Sequence, residues 1–384
     1  MKDYLFVLGR DPELSLAELI SYFNSRNIQY KLHYKSNKIA IFSIPELDFK
    51  KLISCLGGTV KIAEVLSSSH NLDEIEYNLE HGLKYEIKDK LRYSISCYDK
   101  ALLSFVESYL KNRFKREGIK AVYKKPKRKF TSQVMPSKLI SKDIIETGLE
   151  LILYKDYIGK TIAVFNPKEH IKRDLQRPVQ DYTKSISIRL AKILVNLSQA
   201  KENEILLDPF CGTGVILQEA LLNGINIIGI DIEKSSIDAS KNNLEWLKNN
   251  YKTNTNYELI NADSRELSKF IKEVDAVATE PYLGPLIKQR LTENEANKLK
   301  EELESLYFGV LKEIKKVLKK QGRISIVVPV FKTKKGRIFL NIKKIIGKIG
   351  FKTAQINNIA IPLSYFSKES KLDKLIYIFE HSNI

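Results

Sequence analysis

The sequence predicts an α/β protein: a C-terminal half built on a mostly parallel sheet with helices on both faces, preceded by a smaller α+β region. Three observations carry this. From about Ile186 onward, apolar strand-like runs alternate with helical stretches, as in successive βαβ units. Before that point the elements are shorter and are interrupted by strongly basic and polar stretches. The length, 384 residues, suits two or three domains, and 43% hydrophobic with 29% charged residues excludes wholesale disorder.

Residues 4–9 form the first expected strand. Leu16, Leu19, Ile20 and Phe23 recur at helical spacing within Leu14–Arg26. Ile39–Ile44 reads as a strand and Phe49–Val65 as mostly helical with a break at Gly57-Gly58, so 1–70 is expected to be a small α+β unit. Residues 66–80 are polar and read as a connector. In a second unit, Arg92–Tyr98 is an expected strand and Leu102, Phe105, Val106, Tyr109 and Leu110 make a helical stripe. Ala121–Tyr123 is a strand, and Leu149–Tyr154 with Thr161–Phe165 closes as a hairpin around Asp156–Gly159. Asn166–Lys184, polar and containing Pro167 and Pro178, reads as a linker.

In the C-terminal half the expected strands are Glu204–Pro209, Ile225–Asp231, Tyr257–Asn261, Ala276–Thr279, Arg323–Val330, Thr353–Pro362 and Leu375–Glu380. Val215–Leu222, Ser235–Asn249, Asn294–Lys320 and Arg337–Lys348 are the expected helices. The short connection between the last two strands leaves no room for a parallel crossover, so that pair is expected to be antiparallel.

The net charge is +18 and is uneven. Residues 111–142 carry a net +11 and residues 312–348 a net +12, so the remainder is net acidic. Lys124, Lys125, Lys127, Arg128 and Lys129 crowd around Pro126 ahead of Phe130; like charges this dense repel unless they meet a polyanion, so they are candidate nucleic-acid contacts. A solvated face in a lysine-rich chain is the competing reading, and it weighs more for 312–348. Three scattered cysteines, Cys55, Cys97 and Cys211, exclude a disulfide scaffold or a cysteine zinc site and fit a reducing compartment. The histidines are dispersed as well, so no metal site is expected. An apolar run of about 18 residues, as a membrane span needs, is absent, and the start is too short in apolar residues for a signal peptide. The expected setting is the cytoplasm, with no membrane.

The chemistry concentrates at strand ends. Asp208-Pro209-Phe210-Cys211-Gly212-Thr213-Gly214 closes a buried strand and opens a helix, where two glycines permit positive φ and a close approach of ligand to backbone. A dinucleotide fingerprint would need a third glycine where Leu217 stands, which weakens a nicotinamide reading. Asp231 ends the next strand and suits a pair of ribose hydroxyls; Asp263 ends the third and suits an adenine amino group. Cys211 lacks a neighbouring histidine to activate it and reads as a small filler. A tight structural turn is the plain alternative for the glycines alone. Asp208, Phe210, Gly212, Gly214, Asp231 and Asp263 together resemble the S-adenosylmethionine site of Rossmann-like methyltransferases.

After the fourth strand comes Thr279-Glu280-Pro281-Tyr282-Leu283-Gly284-Pro285. It resembles the Asp/Asn-Pro-Pro-Phe/Tyr loop of amino-methyltransferases, departing by Glu280 and by one missing proline. The resemblance implies that Glu280 and the Pro281 carbonyl accept hydrogen bonds from an exocyclic amine, while Tyr282, or Leu283 in its place, covers the base.

Further segments resemble one family, the THUMP-containing tRNA guanosine N2-methyltransferases that act on guanosine 10. These are Tyr4–Arg10 with Leu14–Leu19, Met135-Pro136-Ser137-Lys138, Gly148–Leu153, Arg173-Asp174-Leu175-Gln176-Arg177-Pro178 and Ser187–Leu197. The resemblance implies a ferredoxin-like unit over 1–70, a THUMP-like RNA-binding domain over 71–168, a linker over 169–184 and a methyltransferase domain over 185–384. It implies S-adenosylmethionine as methyl donor and tRNA or another structured RNA as partner. A DNA adenine-N6 or cytosine-N4 methyltransferase, and a non-catalytic RNA-binding relative, remain as alternatives.

Overall fold

The computed structural model describes residues 1–86, 90–124, 148–181, 186–287, 289–366 and 372–382. Residues 125–129 of the basic run and 135–138 lie outside the described residues. Two compact units form: Met1–Pro12 with Ile28–Pro167, and Glu13–Asn27 with Lys168–Ile384.

The first unit is one sheet flanked by helices. Its elements run β1 (Lys2–Leu8), β2 (Lys31–Lys35), β3 (Ile39–Ile44), α2 (Phe49–Cys55), β4 (Thr59–Ser68), α3 (Leu72–Gly82), β5 (Leu91–Cys97), α4 (Leu103–Arg116), β6 (Ala121–Tyr123), β7 (Leu149–Tyr154) and β8 (Tyr157–Val164); α1 (Pro12–Ser25) separates β1 from β2. The strand order is β2-β3-β1-β4-β8-β7-β5-β6, so the sheet runs without interruption across the expected boundary at residue 70. A fully buried ion pair sits there: Lys61 of β4 meets Glu150 of β7 at 2.6 Å, and Thr161 of β8 donates to the other carboxylate oxygen at 2.8 Å.

Two local expectations change, and part of the first basic segment is core. Residues 59–65 are strand, not helix, because Thr59, Val60, Ile62 and Val65 are β-branched and the Gly57-Gly58 pair has already ended α2. The expected connector contains α3, whose N-cap Asn71 accepts from the backbone of Asp73 and Glu74. In the basic segment Phe114 is core, and Arg113 is buried, donating to the carbonyls of Leu79 and Leu83 and pairing with Glu117.

The second unit continues with α5 (Pro167–Gln176), α6 (Ile188–Leu197), β9 (Ile205–Asp208), α7 (Val215–Leu222), β10 (Asn226–Asp231), α8 (Lys234–Asn250), β11 (Tyr257–Asn261), a 3-10 turn (Ser264–Lys269), β12 (Val274–Thr279), α9 (Glu293–Val317), β13 (Leu318–Lys332), β14 (Arg337–Phe339), α10 (Ile342–Ile349), β15 (Phe351–Thr353), β16 (Leu363–Tyr365) and β17 (Leu372–His381). The expected linker contains α5, for Pro167 occupies its first position, where a missing N–H costs nothing. The expected helix Arg337–Lys348 divides into β14 and α10, and the expected strand Thr353–Pro362 ends at Thr353.

The sheet order is β11-β10-β9-β12-β13-β17-β15. Pairings from β11 through β13 are parallel; β17 runs antiparallel to β13 and β15, matching the expected terminal pair. Buried Leu207, Ile230, Val277 and Ile326 on the strands pack with Tyr307, Leu311 and Ile314 of α9. A capping box of Thr292 and Glu295 starts α9. Residues 13–27, most of α1, belong to this unit; Asn196 of α6 donates to the buried Glu18 at 2.8 Å. Among the described residues no helix is long and apolar enough to cross a membrane.

Candidate active site

The order of strands across the sheet reverses between β9 and β12, and open α/β sheets bind ligands outside the carboxyl ends of strands at such a switch point. The glycine turn leaves β9 there. Gly212 and Gly214 both have positive φ, 50° and 80°, and Gly214 is the left-handed N-cap of α7. The turn is held from several sides. Ser240 of α8 donates to the Gly212 carbonyl at 2.8 Å, and Asn243 donates to the Thr213 carbonyl at 2.9 Å. Asn243 also exchanges hydrogen bonds with the backbone of Val179. Neither side chain announced itself in the sequence, since both lie within an ordinary amphipathic helix.

Leu217 in place of a third glycine has a structural counterpart. A Cβ on Gly229 of β10 would lie 2.6 Å from a Leu217 methyl, so room for close helix–strand packing comes from the strand.

Asp231 ends β10 and accepts from the backbone N–H of Gly212 and of Glu233, each at 2.9 Å. A carboxylate has about four acceptor positions, so these bonds orient it and leave capacity for hydroxyls. Asp263 caps the 3-10 turn and is gripped by the Arg265 guanidinium, which pulls its carboxyl below the usual range. Cys211 is buried, and burial pushes its thiol up, away from nucleophilic use.

Asp208 is only 1% exposed. Its Oδ1 accepts from the Phe210 N–H at 3.1 Å and from the Thr279 hydroxyl, at the end of β12, at 2.7 Å. Burial pushes its carboxyl up to about 7, with Asp231 and Glu280 adding to the shift. Thr279 thus ties the glycine turn to the following loop. Asp208 and Glu280 line one cavity, with Ile186, Phe210 and Val215 on its wall.

In the loop after β12, Pro281 is buried and Tyr282 is 55% exposed, while Leu283 is partly covered. The fully buried Tyr307 donates its hydroxyl to the Tyr282 carbonyl at 2.8 Å, fixing the backbone beneath the exposed ring. Glu280 is drawn toward β17, where Lys374 contacts its Oε1 at 2.6 Å. Lys374 lies 94 positions along the chain, and no local pattern could have paired it with the loop. Of the candidate RNA contacts, Lys124 is exposed beyond β6, in the first unit; Lys125, Lys127, Arg128 and Lys129 are outside the described residues.

Known proteins share this chain's fold and parts of its sequence. An RMKL-like methyltransferase domain model matches residues 176–343, spanning the glycine turn and the Glu280 loop. A DNA methylase model matches residues 27–242 and ends before that loop. The crystal structure of TrmN from Thermus thermophilus superimposes with a TM-score of 0.52 at 15% identity, covering 99% of both chains, which shows a shared fold. Curated relatives named tRNA (guanine(10)-N2)-dimethyltransferase include one from Pyrococcus abyssi, 28% identical over 74% of this chain and 84% of its own length. Another, from Methanothermobacter thermautotrophicus, is 30% identical over 71% of this chain and 75% of its own length. With that identity sustained over so much of both sequences, the chain belongs to the family of the tRNA (guanine(10)-N2)-dimethyltransferases.

Proposed function

We propose that this protein transfers a methyl group from S-adenosylmethionine to the exocyclic N2 amine of a guanosine in tRNA, at position 10. One observation supports it most: the glycine turn and the Glu280 loop share one cavity at the switch point of the sheet and are joined by the Thr279–Asp208 bond. The names of the relatives supply the base and the position.

The donor set suits S-adenosylmethionine. Asp231 offers acceptors for ribose hydroxyls, Asp263 an acceptor for the adenine amine, and Phe210, Gly212 and Gly214 an open backbone with an apolar wall. Asp208 completes the cradle beneath the turn. When bound, this donor supplies a methyl group on a sulfonium that is already activated to leave. The chain's own work is done on the acceptor side. The guanine must leave its stack to enter the pocket, and the exposed Tyr282 ring offers it a face. Glu280 and the Pro281 carbonyl accept from the two amine hydrogens, which pyramidalises the nitrogen and aims its lone pair. Glu280 then takes the proton released from the methylated amine.

In this reading the first unit contains a ferredoxin-like segment and a THUMP-like segment that hold structured RNA, with Lys124, Lys125, Lys127, Arg128 and Lys129 on phosphates, and the enzyme works in the cytoplasm. The test is incubation with labelled methyl donor and transcribed tRNA, ribosomal RNA or DNA, followed by nucleoside analysis. N2-methylated guanosine from tRNA is expected. Methylated adenine or cytosine from DNA, or no product from any substrate, overturns the proposal. Glu280→Ala should lower single-turnover methylation by about 100-fold or more, while Glu280→Gln, which keeps an acceptor, retains part of the rate.

A further inference from the structure

Glu280 is where the loop departs from the usual Asp/Asn, and the structure shows what the longer side chain reaches. Its carboxylate meets the Lys374 ammonium at 2.6 Å, with 14% and 26% of the two side chains exposed. Glu280 lines the cavity at the switch point. Lys374 stands on β17, opposite Pro329 of β13 and Tyr365 of β16, so its backbone is fixed by strands on both sides. Its neighbour Asp373, on the opposite face, is buried and pairs with Lys332 and Arg337. These cations meet Asp373, and among the described residues the ion pair of Glu280 is with Lys374.

An acceptor pair beside a donor is a pattern that a base can match or fail to match. Guanine's Watson–Crick edge presents N2–H and N1–H as donors and O6 as acceptor. Adenine presents an amine donor next to an acceptor nitrogen, and cytosine an amine donor followed by two acceptors. Only guanine places two adjacent donors against a carboxylate and then an acceptor against an ammonium.

We infer that Glu280 and Lys374 act together as the guanine-reading edge of the site: the two carboxylate oxygens accept from N2–H and N1–H, and Lys374 donates to O6. Lys374 is then a specificity-determining residue supplied by the antiparallel terminal strand. A carboxylate or amide alone would hold any exocyclic amine; the added cation selects the base that carries it. The inference rests on guanine N2 methylation as proposed above.

The experiment uses full-length tRNA assembled with either guanosine or 2-aminopurine at the target position. 2-Aminopurine keeps the N2 amine but has neither N1–H nor O6. The wild-type protein should prefer guanosine by about 100-fold or more in kcat/KM, because a site built for hydrogen bonds rejects an analogue that leaves them unpaired. Lys374→Met should lower guanosine methylation by about 10- to 100-fold while changing the 2-aminopurine rate less than about threefold, so the preference shrinks by that factor and the N1–H contact to Glu280 keeps the remainder. Lys374→Arg, which keeps a cationic donor, should restore most of it. Equal wild-type rates on the two substrates overturn the inference without any variant. So does an equal loss on both substrates in Lys374→Met, which would mark the lysine as general support. A wild-type protein that yields no methylated guanosine at all removes the functional proposal itself, an outcome distinct from product formed without discrimination.

Discussion

A carboxylate sealed under a glycine turn has consequences that depend on pH. Asp208 has its carboxyl pushed up to about 7, chiefly by burial. An unfolded aspartate titrates near 4, so the folded state holds this proton more tightly. The resulting stability is complete below about pH 4 and is lost as pH rises through about 7. Asp208→Asn keeps an oxygen for the Thr279 hydroxyl and the Phe210 N–H but has no proton to lose. Between pH 5 and 8 the wild-type chain without methyl donor should lose stability relative to this variant. Parallel melting curves that keep a constant separation across that range would falsify the assignment. At the same scale, the sequence showed which acids end strands but not what they touch. That Asp231 grips the turn and Asp208 reaches Thr279 depends on strand neighbours far apart in the chain.

At the scale of elements, the parallel part of the βαβ half was readable because most of its strands are apolar runs and its helices are periodic, whereas 337–348 and 353–362 were misread. Other misreadings fell where one or a few residues outweighed the pattern. Asn71 starts a helix in polar sequence, Pro167 starts another, and four β-branched residues within 59–65 turn a helix-like stretch into a strand. Gly229 is the reverse case, a residue without pattern that packing makes indispensable. Its absent Cβ would meet Leu217, Leu259 and Cys211 at 2.6, 2.9 and 3.1 Å. Gly229→Ala should therefore cost about 1–3 kcal/mol, as overpacking does, and weaken methyl-donor binding because Cys211 belongs to the glycine turn. Urea denaturation and calorimetry check both, and an unchanged midpoint would show that α7 has slack against β10.

Across the whole molecule, the +18 charge is concentrated in two segments, and among the described residues part of it is paired with acids. In the second basic segment many are satisfied at home: Lys316 by Glu313, Lys319 by Asp275, Arg323 by Glu380, and Lys332 with Arg337 by Asp373. In the first, Arg113 and Arg116 are paired with Glu117 and Glu80, and Lys124, the last described residue before the rest of the basic run, is exposed. Replacing Lys124, Lys125, Lys127, Arg128 and Lys129 with alanine should flatten the slope of log affinity against log salt by roughly 0.7–0.9 for each phosphate no longer neutralised. A titration of tRNA binding from low to moderate salt reads this directly, and an unaltered slope would return the run to the solvent.

The placement of α1 reaches beyond the finished structure. Residues 13–27 belong with a unit whose remaining chain begins at Lys168, and the Glu18–Asn196 bond spans 178 positions. On the ribosome this helix emerges well before α6 exists to meet it. The first unit is synthesised around a segment that it does not keep, and closing so long a loop costs chain entropy before its contacts repay it. An expression fragment cut at the boundary near residue 168 would discard a buried helix of the second unit together with the Glu18–Asn196 bond.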